Sequence, residues 1–247
     1  MKTTEKTVIA QMLEHRSIRS YTDEIVPAAD IEQAVAAGQK AATSSNIQTY
    51  SLVHVTDIEI RTAMIEISGG QDKVRDCGAF FVICADMRRH RLLADRCGVP
   101  CEQNVESFLL SVIDASLFAQ NMALAFESLG WGTCYIGGIR NNLSAVQKIL
   151  SLPTDVSPLF GMTVGRAAEE PWPRPRFPVD TIMHENGVVS DDVVLAQCDA
   201  YDDLMREYYL NRGASGRTWC GQMERFFEVP KRAHLKDFFE QMGVRWR

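Results

Sequence analysis

The spacing of apolar residues predicts a chain that alternates between helices and short strands. Apolar residues at intervals of three and four predict helices, whereas short apolar or alternating runs predict strands. The predicted strands span residues 50–56, 79–85, 131–136 and 157–165. The predicted helices span residues 4–14, 28–41, 104–129, 143–150, 201–209 and 231–242, with one more helix capped by Asp57 and closed by Gly69 and Gly70. The arginine-rich stretch 87–100 fits either a helix or a loop.

Two of these segments predict the interior of the fold. The run 79–85 is apolar throughout, which is typical of a central strand buried on both faces. The helix 104–129 is apolar nearly all round, so we expect it to lie in the core or at a subunit interface. Asp114, Gln120, Asn121 and Glu127 interrupt its apolar pattern.

Composition restricts the classes of function. The 247 residues carry a formal net charge of −6, which argues against a nucleic-acid-binding surface. No window reaches the ~20 apolar residues of a membrane span, and the N-terminus lacks the apolar region of a signal peptide. Seven scattered cysteines indicate core thiols in a reducing compartment, so we expect a cytoplasmic protein. Cys97 and Cys101 form the one close pair, and we expect no metal site.

Against this acidic background, two basic clusters are candidates for anion binding. His15, Arg16, Ser17 and Arg19 follow the first predicted helix and could converge on one anion. Arg174-Pro-Arg176 would send both guanidinium groups to the same side of an extended segment. Since neither glycine-rich phosphate-loop pattern occurs, a phosphate would have to be bound by side chains, a task that suits arginine.

Residues 169–178 contain four prolines and are predicted to be extended; we call this segment the proline strap. Two interpretations of the strap remain open, a surface segment or a docking peptide for a partner domain. The five histidines are isolated, and neither a nucleophile elbow nor a His-Glu-x-x-His motif occurs, so hydrolytic chemistry has no support.

Six motifs together resemble the FMN-dependent nitroreductase superfamily, in particular its NADPH-preferring branch of oxygen-insensitive nitroreductases and flavin reductases. The resemblance covers residues 5–220. The motifs are His15-Arg-Ser-Ile-Arg19 with Tyr-Thr-Asp-Glu, Thr43-Ser-Ser45, Gly69-Gly-Gln71, Tyr135-Ile-Gly-Gly138 with Arg140-Asn-Asn142, Arg174-Pro-Arg176 and Tyr208-Tyr-Leu-Asn-Arg212-Gly.

The resemblance implies a nitroreductase-like α+β fold: a central mixed, largely antiparallel sheet flanked by helices. It implies one FMN-binding domain over residues 1–247, with a helical excursion and a mobile basic loop at about 190–247. It also implies an intimate homodimer, with 104–129 as the buried interface helix and FMN bound at the interface.

The resemblance also implies roles for individual residues. Arg19 and Arg174 would tune the flavin ring, and no residue would act as nucleophile or acid/base. Arg212 and, more weakly, Arg217 would bind the 2′-phosphate of NADPH. The implied FMN-binding residues are His15, Arg16, Ser17, Arg19, Thr43, Ser44, Ser45, Gln71, Tyr135, Ile136, Gly137, Gly138, Arg174 and Arg176.

The implied function is ping-pong transfer of hydride from NADPH to FMN and then to nitroaromatics, quinones, free flavin or similar acceptors, including metal oxyanions. Asn46 stands where relatives carry an aromatic residue, which leaves the preferred acceptor open. Two alternatives are a non-catalytic flavin-binding protein and a flavin reductase that supplies a partner oxygenase.

Overall fold

The computed structural model describes residues 6–246, so the predicted helix 4–14 begins outside the described residues. Contacts divide the chain into two compact units. The first unit extends to Pro171 and resumes at His234, whereas the second unit comprises Trp172–Ala233.

The strands and most helices follow the predicted boundaries, but the predicted helix 201–209 is part of a longer helix that begins at Asp191, and the short helices Lys73–Asp76 and Val179–Ile182 were not predicted. The strands are β1 (Tyr50–Val55), β2 (Ala79–Asp86), β3 (Gly132–Ile136) and β4 (Val156–Gly165). The helices are α1 (Val8–Leu13), α2 (Ala28–Gly38), α3 (Ile58–Ile67), α4 (Lys73–Asp76), α5 (Arg88–Cys97), α6 (Val105–Ser128), α7 (Leu143–Ile149), α8 (Val179–Ile182), α9 (Asp191–Asn211), α10 (Cys220–Phe227) and α11 (Leu235–Gln241). Helices α8, α9 and α10 belong to the second unit.

Local capping explains several of these boundaries. The Asp57 carboxylate accepts hydrogen bonds from the Glu59 and Ile60 amides at the start of α3, and Asn142 caps α7 in the same way through Ala145. The predicted helix 231–242 begins late, at Leu235. Arg232 has a φ of 58°, a left-handed conformation that an α-helix does not accommodate.

The four strands form one sheet in the order β1-β2-β4-β3, and each neighbouring pair is antiparallel. Strand β2 is central and buried along its whole length, as its apolar sequence predicts. Its successive phenylalanines face opposite ways: Phe80 packs with Val82 and Ile136, whereas Phe81 packs with Phe118. The sheet therefore separates two apolar layers.

Helix α6 covers one face of the sheet and supplies much of that layer. Phe118, Met122 and Phe126 are buried in it, and α2 packs against the same helix. By length and composition alone, α6 could cross a membrane, but its buried residues form the core of the first unit. Three leucine and isoleucine side chains on another face of α6 are 44–51 % exposed: Leu109, Ile113 and Leu117.

In the second unit, aromatic residues of α9 hold the proline strap. The Tyr201 hydroxyl donates a hydrogen bond to the Pro175 carbonyl (2.9 Å), and the Phe177 ring stacks on Tyr201 with centroids 4.1 Å apart. The Tyr208 hydroxyl reaches the Trp172 carbonyl at 3.4 Å. Residues 172–178 of the strap are thus packed by the second unit, which weakens the interpretation of the strap as a free docking peptide.

Helix α10 was not predicted from the sequence. Its first amide, Cys220 N, donates a hydrogen bond to Asp202 Oδ1 of α9 at 2.7 Å. A residue 18 positions earlier therefore helps to fix where α10 begins, together with the Thr218 hydroxyl, which accepts a hydrogen bond from the Gly221 amide at 3.0 Å.

Candidate functional site

The segment 15–19 lies against the edge of the sheet formed by β3. The Ile18 amide donates to the Thr133 carbonyl at 2.9 Å, and the buried Ile18 side chain packs over Gly132. A Cβ atom at Gly132 would lie 2.5 Å from Ile18 Cγ1, so only glycine lets the segment approach so closely. The polar residues on either side of Ile18 are thereby held at the start of β3.

His15 and Arg16 line an open depression of about 810 Å³ beside Trp131 and Gly132. His15 Nδ1 lies 2.7 Å from Glu127 Oε1, near the end of α6. Arg16 Nη1 donates to the Pro171 carbonyl (3.2 Å) and to Glu170 Oε1 (3.3 Å). The depression therefore presents an imidazole and a guanidinium side by side.

The backbone of Arg19 is fixed by a carboxylate. The amides of Arg19 and Ser20 both donate to Glu169 Oε1, at 2.6 Å and 3.0 Å. The Arg19 guanidinium donates to the Ser17 carbonyl (3.2 Å) and, among residues 6–246, forms no ion pair. Its charge is available to a ligand.

Gln71 meets the predicted Gly137-Gly138 turn at the end of β3. The Gln71 side-chain amide donates to the Ser68 carbonyl at 2.7 Å. A Cβ atom at Gly138 would overlap both Gln71 Nε2 and the Ser68 oxygen, so the close approach requires glycine. The turn, Gln71 and the segment 15–19 therefore all border β3.

Cys134 and Tyr135 point to opposite faces of β3. Burial raises the pKa of the Cys134 thiol, the charges of Arg19 and Lys73 lower it, and the charge of Glu169 raises it. Tyr135 faces the other way, and burial raises the pKa of its phenol. Lys73, at the start of α4 and half-buried, was not among the predicted site residues.

The structure separates Thr43, Ser44 and Ser45 from this group. The Ser44 amide donates to Asp114 Oδ1, and Thr49 donates to Asp114 Oδ2 through its amide and its hydroxyl, all at 3.2 Å. Asp114 and the His15 partner Glu127 are 13 residues apart on α6. At a rise of 1.5 Å per residue, the two loops sit roughly 20 Å apart along the helix axis.

The remaining predicted residues belong to the second unit. Arg174 and Arg176 are exposed on the strap. Burial raises the pKa of the Tyr201 phenol, and the charges of both arginines lower it, which agrees with their predicted placement on one side of the strap. Arg212 Nη1 lies 2.9 Å from the Tyr208 hydroxyl, and the Arg217 guanidinium lies 5.3 Å from the Tyr209 ring centroid. Tyrosines of α9 thus hold both loop arginines.

Sequence reasoning missed the acidic partners of the site. Asp114 and Glu127 interrupt an otherwise apolar helix, and that interruption was the available signal. Glu169 lies in the proline strap, where nothing local marks it as a partner of the Arg19 amide. Each pairing joins positions at least 70 residues apart.

Comparisons with known proteins agree along almost the whole chain. A family model described as "Nitroreductase family" matches residues 12–166. A second model, described as "Nitroreductase family, C-terminal domain", matches residues 174–247. The chain is 41 % identical over 241 residues to an FMN reductase (NADPH) of Bacillus subtilis, covering 95 % of this chain and 97 % of the relative. It is 38 % identical over 232 residues to an oxygen-insensitive NADPH nitroreductase of Salmonella typhimurium, covering 93 % and 94 %.

A solved structure shows the same fold. The NfrA1 nitroreductase of B. subtilis superimposes with a TM-score of 0.93 at 40 % identity, covering 96 % of this chain and 99 % of that one. The nitroreductase-like α+β fold predicted from the sequence is therefore confirmed.

The buried Asp114 carboxylate is expected to stabilise the loop that carries Thr43, Ser44 and Ser45. Asp114→Ala would leave the Ser44 amide, the Thr49 amide and the Thr49 hydroxyl without their acceptor, costing about 3 kcal/mol of unfolding free energy. Urea denaturation followed by circular dichroism measures the loss. Thr49→Val is the matched control, since it removes one hydroxyl bond and should cost about 1 kcal/mol. Equal losses in the two variants would contradict this role of Asp114.

Proposed function

This chain belongs to the nitroreductase family, and we propose that it is an FMN-dependent oxidoreductase that uses NADPH to reduce nitroaromatics, quinones, free flavin or similar small molecules. The observation that carries the proposal is the grouping of His15, Arg16, Arg19, Gln71 and Gly138 around β3. These residues offer cationic donors next to a backbone turn without side chains.

These residues fit a flavin mononucleotide. A phosphate needs cationic donors that reach it as side chains, and the depression beside β3 contains His15 and Arg16. A flat ring needs close access to backbone amides, and the Gly137-Gly138 turn at the end of β3 has no side chains that would obstruct such access. When bound, FMN supplies the hydride-carrying centre of the enzyme.

We assign the binding of FMN to three groups of residues in the first unit. His15, Arg16 and Ser17 would hold the phosphate, and Arg19 would place its charge at the pyrimidine edge of the ring. The side chain of Gln71 and the backbone of Tyr135, Ile136, Gly137 and Gly138 would orient the ring. The assignment of Arg174 and Arg176 to FMN is supported by the resemblance of their motif alone.

The residues of this site do not need to act as a nucleophile or a general acid. Their work is to orient the ring, to place positive charge beside it and to leave its open face to the substrates. NADPH would bind and leave as NADP⁺ before the acceptor enters the same place, which is a ping-pong order.

We infer that the chain acts as a homodimer. The exposed stripe of Leu109, Ile113 and Leu117 is apolar, follows one face of α6 and suits a second copy of the same helix. A second subunit could also bring its Thr43, Ser44 and Ser45 to the flavin, since these residues lie roughly 20 Å along α6 from the His15 partner in their own chain.

We also propose that the two units together form one functional domain, because the polypeptide leaves the first unit and later returns to it. We place the protein in the cytoplasm. All seven cysteines are free in the structure, which suits a reducing compartment.

The first test of the function uses the purified full chain. It should be yellow, retain FMN through gel filtration and oxidise NADPH when a nitroaromatic or free flavin is supplied. Arg19→Ala should keep FMN but reduce kcat/KM at least tenfold, whereas Arg19→Lys should retain more activity because it keeps a charge. A colourless protein that FMN cannot reconstitute would refute the proposal, and FMN-loaded protein without NADPH oxidation would favour a non-catalytic flavin protein.

The dimer inference predicts a specific response to charge on α6. Ile113→Glu should convert a particle of about twice 27.7 kDa into a monomer in light scattering, and the monomer should lose FMN. Ile58→Glu is the control, since Ile58 is an equally exposed isoleucine on α3. A wild-type monomer, or dissociation by the control as well, would contradict the inference.

The loop arginines are expected to distinguish NADPH from NADH. Arg212→Ala should raise the KM for NADPH about tenfold or more and leave that for NADH nearly unchanged, because only NADPH carries the 2′-phosphate. Steady-state kinetics with both nucleotides measures the difference. Tyr208→Phe, which removes the hydroxyl beside Arg212, should have a smaller effect in the same direction. Equal losses for NADPH and NADH would refute the assignment of Arg212.

A further inference from the structure

The peptide group between Ile18 and Arg19 is held at both of its polar atoms. The Ile18 carbonyl accepts a hydrogen bond from the Tyr21 hydroxyl at 2.7 Å, and the Arg19 amide donates to Glu169 Oε1 at 2.6 Å. In a trans peptide the C=O and N–H bonds point in opposite directions. Tyr21 and Glu169 therefore hold this peptide from opposite edges, and we call the two residues the peptide clamp.

Glu169 also holds the next amide, that of Ser20, at 3.0 Å through the same oxygen. The Ser20 carbonyl in turn accepts a hydrogen bond from the Ala168 amide at 3.0 Å. The two amides bonded to Glu169 lie on either side of the Arg19 Cα atom, so neither φ nor ψ of Arg19 can turn without weakening a hydrogen bond. The direction in which the Arg19 side chain leaves the backbone is therefore fixed.

Both parts of the peptide clamp are anchored near the end of β4. A Cβ atom at Gly165 would lie 2.8 Å from Tyr21 Cδ1, so glycine admits the tyrosine ring close to the strand. The Tyr21 hydroxyl also lies 2.8 Å from Thr163 Oγ1. Tyr21 forms an antiparallel bridge with Ala167, two residues before Glu169. The clamp thus joins the segment that carries Arg19 to β4 and to the residues that follow it.

The peptide clamp leaves the Arg19 guanidinium free of a carboxylate. Glu169 contacts the amide of Arg19, whereas the guanidinium donates to the Ser17 carbonyl at 3.2 Å. In the described part of the chain, no carboxylate pairs with this guanidinium. Glu169 therefore fixes the residue without neutralising the charge at the end of its side chain.

We propose that Tyr21 and Glu169 are positioning residues for Arg19, whose backbone they hold so that its guanidinium keeps one place beside the pyrimidine edge of the FMN ring. This inference rests on the proposed function, which assigns Arg19 to that edge. Neither residue of the peptide clamp would touch the flavin.

The flavin midpoint potential reports the position of this charge. A positive charge at the pyrimidine edge favours the reduced form of a flavin, because reduction adds negative charge to the ring. If Arg19 is no longer held, its average distance from the ring increases and the equilibrium constant for reduction falls. The potential is measured without turnover, so NADPH and acceptor binding do not enter the result.

The test uses the full-length chain loaded with FMN and equilibrated with a reference dye of known potential, and the flavin absorbance is followed. Arg19→Ala sets the scale and should lower the reduction constant at least tenfold, which is about 30 mV for a two-electron couple. Glu169→Ala and Tyr21→Phe should each lower the constant about threefold or more, because each removes one side of the peptide clamp.

Three further variants separate the hydrogen bonds of Glu169 from its charge. Glu169→Gln keeps an oxygen that accepts from both amides, so it should not lower the reduction constant. Glu170→Ala removes an equal charge from the next residue, which is 87 % exposed and contacts the Arg16 side chain, and it should change the constant less than twofold. In an Arg19→Ala background, Glu169→Ala should lower the constant no further, because the residue through which it acts is gone.

The possible failures are distinguishable. Unchanged constants in Glu169→Ala and Tyr21→Phe, with a loss of stability in urea alone, would overturn the inference by assigning the clamp a purely structural role. A rise of the constant in both Glu169→Ala and Glu169→Gln would overturn it as well, since Glu169 would then act through its charge.

Tyr21→Phe removes a single oxygen and carries the test by itself if Glu169→Ala does not retain FMN. A lower constant in only one of the two clamp variants that retain FMN would contradict the joint action of Tyr21 and Glu169. If Arg19→Ala itself leaves the constant unchanged, the placement of Arg19 in the proposed function fails. If Arg19→Ala lowers it but neither clamp variant does, the inference alone is wrong.

Discussion

Helix α6 is the constraint on which the rest of the first unit depends. It must bury one apolar face against the sheet, and it also carries two carboxylates that its neighbours satisfy. Asp114 fixes the loop of Thr43 to Ser45, and Glu127 fixes His15. A buried carboxylate is tolerated only when hydrogen bonds or an opposite charge compensate it, so these loops cannot shift without a large cost in free energy. One helix thus sets the positions of two loops that carry proposed FMN-binding residues.

Strand β3 brings the segment 15–19 and the Gly137-Gly138 turn to one element. Its first residue, Gly132, admits Ile18 against the sheet, and its end leads into Gly137 and Gly138, where Gln71 approaches. Because an edge strand has one side free of ladder hydrogen bonds, it can accept the segment 15–19 along its length, as the Ile18 amide does. The proposed ligand-binding groups from the N-terminus and from the region after α3 therefore meet at this strand.

The sequence predicted elements whose causes are local. The strand 79–85, the helix 104–129 and the caps at Asp57 and Asn142 follow from apolar spacing and from side chains within three residues of a helix start. Motif resemblance then supplied the candidate ligand-binding residues, and the family comparisons confirmed the fold. The contacts that the sequence did not predict join residues far apart in the chain. His15 and Glu127 are 112 residues apart, Arg19 and Glu169 are 150 apart, and periodicity within a window carries no information on such pairs.

These acidic partners explain how an acidic chain can keep cationic side chains ready for an anion. With a net charge of −6, each cation attracts carboxylates, and a tight pair at every cation would leave nothing for a ligand. The carboxylates at the proposed site differ instead in their exposure and in the groups that they contact. Glu170 meets Arg16 in solvent, where the pair is weak and exchangeable, and Glu169 binds the backbone of Arg19 rather than its guanidinium. Among the described residues of the proposed site, Glu127 contacts its partner under shelter, and it does so at Nδ1, so that Nε2 of His15 is not used by this contact.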